Sequence, residues 1–463
     1  MHRIAFLALF TAVLLPAQIP DFKPPTPLFG AVLKNDAQAV KKLLDEGADP
    51  NEGRFFGFPA LTLAIINSNQ PMIRAMLDRG ADPKAADRNG STVLMWAVGG
   101  ESPNAALVDE LLRRGADPNV QNKLGESALT WSIRRGDMAM AGRLQAAGAS
   151  QSSAVHRSVE NAVALLQKSG PEFVKVSGCV SCHHQSLPQM AYAAARQHGF
   201  RVDAAASEQQ LKAVVAMFKP IREQMEKGTI NLPNPGISVS YSLLGMAAEG
   251  YAADEITSAM TLAISRTQLP DGSFAVLPAR PPLEASAFTS TALSIRALRL
   301  YERDSEDKVA RARQWLMQAR PATQEDRAMK LLGLVWSKAE ASDIGQATAE
   351  VLAQQRPDGG WAQLAGLESD AYSTGQAMVA LHEAGMPAAD KAYQHAMAFL
   401  LRTQLADGSW MVRTRSSPVQ QFKESGFPHG RDQWISAAGT SWAAMALALS
   451  QPMPAAQASS GLQ

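Results

Sequence analysis

The chain has 463 residues, with 44 lysines and arginines against 43 aspartates and glutamates, a net charge of +1, 6% aromatic residues and two cysteines. Balanced charge without a basic stripe or interleaved aromatics excludes a nucleic-acid partner, and the length predicts more than one domain. Abundant Ala, Leu and Met with few β-branched runs predict an all-α protein.

Residues 1–19 open with MHRIAFLALFTAVLLPAQ: one arginine, then an apolar run from Ile4 to Leu15, then Pro16 and Ala17. This pattern predicts a secretory signal peptide. Its apolar core is too short for a membrane span, which needs about 20 residues. The expected location is therefore secreted or periplasmic, with no stable membrane span once the signal is removed. Thiols in that compartment are not expected to stay free by default.

From about residue 26 to 150 a unit repeats, closing on EGADPN (46–51), RGADPK (79–84), RGADPN (114–119) and a worn AAGASQ (146–151), with glycines 33, 35 and 33 apart. Each copy predicts a short helix, a polar turn and a second helix stopped by a glycine in the left-handed conformation. Asp49, Asp82 and Asp117 are expected in the turn that projects to the next unit. The four copies resemble ankyrin repeats, which implies a solenoid whose concave face binds a protein partner. Residues 151–157, within ASQSSAVHRS, read as a linker.

SGCVSCHHQSLPQ (177–189) holds both cysteines. C-x-x-C-H is the attachment signature of c-type haem: Cys179 and Cys182 add to the vinyl groups and His183 ligates the iron. Met190 and His429 are the distal-ligand candidates. Zinc held by Cys179, Cys182, His184 and His429 is the metal alternative. An exchangeable disulfide and a structural Cys179–Cys182 disulfide also stay open.

Further on, RTQLPDGSF (266–274), AQQRPDGGW (353–361) and RTQLADGSW (402–410) share the form Q-x-x-D-G-x-aromatic, with a degraded copy at Gln318 and a worn one in ALLQKSGPEF (164–173). Asp-Gly supplies a tight reversal. The glutamine is expected to tie down a helix C-terminus, and the aromatic to pack on the next hairpin. These turns resemble the QW repeat of the squalene-hopene cyclase and protein prenyltransferase superfamily, which implies an α/α toroid. Outer and inner helices pair as 158–168 with 183–198, 205–226 with 236–250, 252–267 with 285–302, 305–319 with 323–338, 341–355 with 370–385, and 388–402 with 432–449. Six pairs complete an α6/α6 ring over residues 158–450, and a disordered tail is expected over 451–463.

In such a ring the inner-helix N-termini surround the mouth of a central cavity. That places Cys179, Cys182, His183, His184, Ser240, Tyr241, Glu284, Asp326, Asp370, Tyr372, His429, Asp432 and Trp434 there as site candidates. Acidic groups at helix starts also serve as caps. The resemblance does not extend to triterpene cyclase chemistry: the D-x-D-D run is missing, and ESDAYSTGQAMVAL (368–381) offers Asp370 alone. Three functions stay open. One is a partner-binding protein with a haem or metal redox site; another is a non-catalytic scaffold braced by a disulfide. The third is an enzyme acting on a hydrophobic or oligosaccharide-like ligand in the toroid.

Overall fold

A computed structural model describes residues 24–100, 103–150, 152–277, 280–417 and 423–454, so the expected signal peptide and most of the expected tail lie outside the described residues. The chain divides into two compact units, residues 1–154 and 155–463. Among the described residues it is all-α apart from one two-residue hairpin, Arg54–Phe55 (β1) with Phe58–Pro59 (β2).

Among the described residues of the first unit, eight helices form four pairs: α1 Pro27–Leu33 with α2 Ala37–Asp45, α3 Ala60–Ile66 with α4 Gln70–Asp78, α5 Val93–Gly99 with α6 Ala105–Arg113, and α7 Ala128–Arg135 with α8 Met138–Ala146. Polar side chains start them. Thr26, Thr92 and Ser127 each accept a hydrogen bond from a first-turn amide, as do Asp36, Asn69, Asn104 and Asp137 at the second helices. Gly47, Gly80, Gly115 and Gly148 stop the second helices at φ between 86° and 95°, a conformation that glycine adopts without penalty.

The turn aspartates lie in the turns between repeats, as expected. Asp49, Asp82 and Asp117 close their own turns by accepting from the amide two residues on, at 2.8–2.9 Å. Asparagines in the same turns link successive repeats: Asn51 joins Gly80 and Asp82, and Asn119 joins Gly148 and Ser150. Lys84 occupies the equivalent place in the second unit.

The second unit begins in α9 Ser152–Ser177, so the segment read as a linker is helical from residue 152. Six outer–inner pairs follow. They are α9 with α10 Leu187–Gln197, α11 Ala204–Phe218 and α12 Arg222–Lys227 with α13 Pro235–Ala248, and α14 Glu255–Ser265 with α15 Ala287–Tyr301. The remaining three are α16 Glu306–Gln318 with α17 Gln324–Trp336, α18 Ala341–Leu352 with α19 Ala371–Glu383, and α20 Lys391–Thr403 with α21 Gln433–Leu449. Each inner helix packs on the next in the order α10, α13, α15, α17, α19, α21, and α21 packs back on α10. The ring is closed. Its inner helices are almost wholly buried because they are covered on one side by outer helices and on the other by each other.

The repeated turns rivet this ring in a different way from the one expected. The glutamine reaches forward. Gln268, Gln355 and Gln404 each donate through Nε2 to their own turn and to the start of the next outer helix, at Lys308, Ala392 and Ser158. The worn copy keeps the bridge, from Gln167 to Asp203. The aromatic reaches back: Trp361 Nε1 donates to Val351 and Trp410 Nε1 to Leu400, each at 2.8 Å, holding the end of its own outer helix. The backbone amides of Phe274, Trp361 and Trp410 then donate to Thr291, Thr374 and Thr440 on the following inner helix.

Candidate functional site

Ser181 organises the segment that carries the cysteines. Its backbone is extended, its Oγ accepts from His184 N at 3.1 Å, and a single π turn, Cys182–Ser186, leads into α10. Gln185 locks the turn by accepting from Ser181 N and donating to Gly170 O on α9. Cys182, His183 and His184 are thereby turned inward and buried, whereas Cys179 stays exposed. Both thiols are free.

The two imidazoles meet through their Nδ1 atoms, and His184 Nε2 bonds Ser425 Oγ at 3.0 Å. Ser425 in turn donates to Gln433 on α21. Phe173 stacks on His184 with centroids 4.5 Å apart, and Trp434 stands 5.9 Å from His183. Burial holds His184 down to about 3. Burial, His184 and Arg280 together hold His183 well below its ordinary range. Both rings are neutral at physiological pH. Burial, followed by the Glu284 carboxylate, pushes the Cys182 thiol far up, so it stays protonated.

Deeper in the ring, four side chains from three inner helices converge: Tyr241 from α13, Glu325 from α17, and Tyr372 and Gln376 from α19. Burial pushes both phenols far up, and the Glu325 carboxylate adds to the rise of each. Glu325 Oε1 accepts from Thr289 at 2.7 Å. Its Oε2 has no hydrogen-bond partner, and neither do the Tyr241 and Tyr372 hydroxyls or either amide atom of Gln376. Tyr372 and Gln376 face Glu325 and ease its ionisation without closing a bond of ordinary length, and burial prevails, pushing the carboxyl up to about 7. Cys182 and Glu284 border this cluster beside Tyr241. Glu284 is engaged in two hydrogen bonds by Arg280.

The structure thus joins Cys182, His183, His184, Tyr241, Glu284, Tyr372 and Trp434 into one interior region. The other candidates fall elsewhere. Asp326 caps α17 by accepting from Ala322 N and Thr323 N, and Asp370 caps α19 through Ser373 N. Asp432 accepts from Thr414 N. Ser240 is buried without a partner, and Met190 packs against the apolar core. His429 bonds Ser409 in the last repeated turn at 2.8 Å, and Phe427 stands between it and His184. The zinc set of Cys179, Cys182, His184 and His429 is therefore not assembled, and among the described residues no group of three or more His, Cys, Asp or Glu side chains could hold a metal. For a haem the donor types fit: two unjoined thiols and a neutral imidazole. Their placement does not, since Cys179 faces solvent while Cys182 and His183 are enclosed by the core.

Glu325 and Gln376 escaped the sequence reading. Asp326 beside Glu325 has the better-known capping role, and a lone carboxamide carries no chemical signature in a sequence. The signal was there in Tyr372 and Gln376, which lie four apart on one face of a buried helix.

Residues 28–106 match Ankyrin repeats in three copies, and residues 320–463 match the Squalene-hopene cyclase C-terminal domain. The likeness to the Squalene-hopene cyclase C-terminal domain thus falls within the second unit. The match covers the second half of the ring, from the start of α17 through α21. No curated protein matches the chain. Such a likeness bears on the fold; the interior chemistry belongs to the particular side chains of this chain. Among the described residues no helix is long and apolar enough to cross a membrane.

Proposed function

We propose that this is a secreted or periplasmic partner-binding protein in which the ankyrin stack docks a protein partner and the toroid interior takes up a small-molecule ligand. The observation that carries the reading is a set of buried polar atoms without a hydrogen-bond partner: Glu325 Oε2, the Tyr241 and Tyr372 hydroxyls and the Gln376 amide. Each such group costs about 1–3 kcal/mol in a folded core, and a core without a ligand to recognise has no use for four of them. Apolar replacements of the same shape should then relieve the fold. Tyr372→Phe is expected to raise stability by roughly 1 kcal/mol in urea unfolding. A loss of 1 kcal/mol or more would make the hydroxyl structural and remove the basis of the reading.

A second reading rests on the donor types alone, the free thiols of Cys179 and Cys182 and the neutral imidazole of His183, which the folded segment does not present together. In that reading the toroid carries a haem c, and the protein acts in extracytoplasmic redox chemistry. Because the folded segment encloses Cys182, attachment would have to precede closure of the turn. Protein exported from a host with cytochrome c maturation machinery should keep a Soret band after acid–acetone extraction. Colourless protein from that host would end this reading and leave the first untouched.

A further inference from the structure

We propose that the turn-tip face of the first unit docks an acidic peptide segment that also carries large apolar side chains, supplied by a partner protein. This rests on the ankyrin stack being the docking unit and names the chemistry that the stack accepts. Three successive turns lie side by side on that face. Arg54 donates to Ala86 O at 2.6 Å, Lys123 N donates to Asn89 O at 2.8 Å, and a Cβ on Gly57 would stand 2.8 Å from the Cβ of Arg88. Behind the tips, Phe58, Trp96 and Trp131 form an edge-to-face row with ring centroids 5.4 and 5.3 Å apart, and all three rings stay partly exposed.

Two features of this surface select its occupant. The tips are apolar: Phe56 is 58% and Leu124 70% exposed, beside an aromatic row that is itself incompletely covered. The charge is cationic. Arg54, Arg88, Lys123 and Arg135 are exposed, and among the described residues no carboxylate pairs with them; Arg54 and Arg135 donate to the backbone carbonyls of Gly57, Ala86 and Gly99. The buried acids of these turns are engaged internally. Asp87 accepts from Asn89 N, Ser91 N and Trp96 Nε1, while Glu126 accepts from Asn122 and Trp131 Nε1 and pairs with Arg134. Glu52 alone of the turn acids is exposed, so the excess of cations is local to this face in a chain whose total charge is only +1. A basic segment would be repelled here, and a wholly apolar one would cover guanidinium and ammonium groups without pairing them. Carboxylates pair with both, bidentately with arginine. Aromatic or leucine side chains between those carboxylates would cover Phe56, Leu124 and the aromatic row, while the opposed charges steer the encounter.

Selection of a phage-displayed random-peptide library on the immobilised full chain at about 0.1 M salt tests this. Recovered sequences should be enriched in Asp and Glu together with Phe, Trp or Leu. The most enriched peptide, synthesised and titrated calorimetrically, should bind about tenfold more weakly to the double variant Arg88→Gln, Lys123→Gln, and also to wild type at about 1 M salt, where the screening length shrinks to about 3 Å. Should the double variant lose its wild-type melting curve, Lys123→Glu alone carries the comparison. Enrichment of basic or uncharged peptides whose binding Phe56→Ala weakens overturns the acidic assignment and leaves the stack a docking unit. A selected peptide that neither the charge variants nor Phe56→Ala weaken binds elsewhere and overturns both. Recovery of no enriched sequence overturns the proposal of a peptide segment.

Discussion

Two buried residues pull the stability of the toroid in opposite directions with pH. Glu325 is raised from 4.5 to about 7 by burial. Between those values the folded chain holds a proton that the unfolded chain has released, so stability falls as the pH rises through that window, by about 3 kcal/mol in total. His184 is lowered from 6.5 to about 3. Below pH 6.5 the unfolded chain gains a proton that the folded chain refuses, so stability falls as the pH drops through that range. Over pH 4.5–6.5 the two slopes oppose. Urea midpoints at pH 5, 6 and 7 should separate them: Glu325→Gln should lose the decline toward pH 7, and His184→Gln the decline toward pH 5. Parallel curves for wild type and both variants would show that neither group keeps its buried state.

At the scale of single elements, glycine contacts show how close the inner helices lie. A Cβ on Gly375 would stand 2.5 Å from the carbonyl carbon of Trp442, so Gly375→Ala must push α19 off α21. A cost of about 1–3 kcal/mol is expected. Gly345 on the outer helix α18 meets nothing within 4 Å, so Gly345→Ala should stabilise by about 0.5–1 kcal/mol. Equal melting shifts for the two would refute the close approach. In the turns, Asp358 Oδ1 accepts from Gly360 N and Ser369 Oγ, and Asp358→Ala should cost roughly 1 kcal/mol.

These elements were also where the sequence was most legible. Asp-Gly turns at fixed spacing and helical periodicity both survive in one dimension, so the helical pairs and the ankyrin units are legible within a few residues, except α9, which runs over Ser152–Ser177 where 158–168 is expected. Hydrogen-bond direction could not. Whether Gln404 points back at its own helix or forward to Ser158 depends on the ring being closed, and no local pattern encodes that. For the same reason Cys179 and Cys182, three apart and alike in sequence, ended in opposite surroundings: the turn set by Ser181 and Gln185 decides which one faces inward.

At the scale of the whole molecule, the two units have separate cores. Residues 24–150 expressed alone should therefore give a helical circular dichroism spectrum and a cooperative melt, as a stack of four units can; a featureless spectrum would show that the stack has no core of its own. The toroid should not divide in the same way. Helix α21 packs on both α19 and α10, and Gln404 bonds Ser158, 246 positions away in sequence. Such a contact cannot form until nearly all of the chain has been made. Contacts of that span fold slowly, and until synthesis passes residue 449 the helices α10 and α19 each present an apolar flank with no neighbour. A ribosome stalled before α21 would thus hold an open arc with two adhesive ends, liable to recruit the missing helix from another copy or to be held by chaperones until its own arrives.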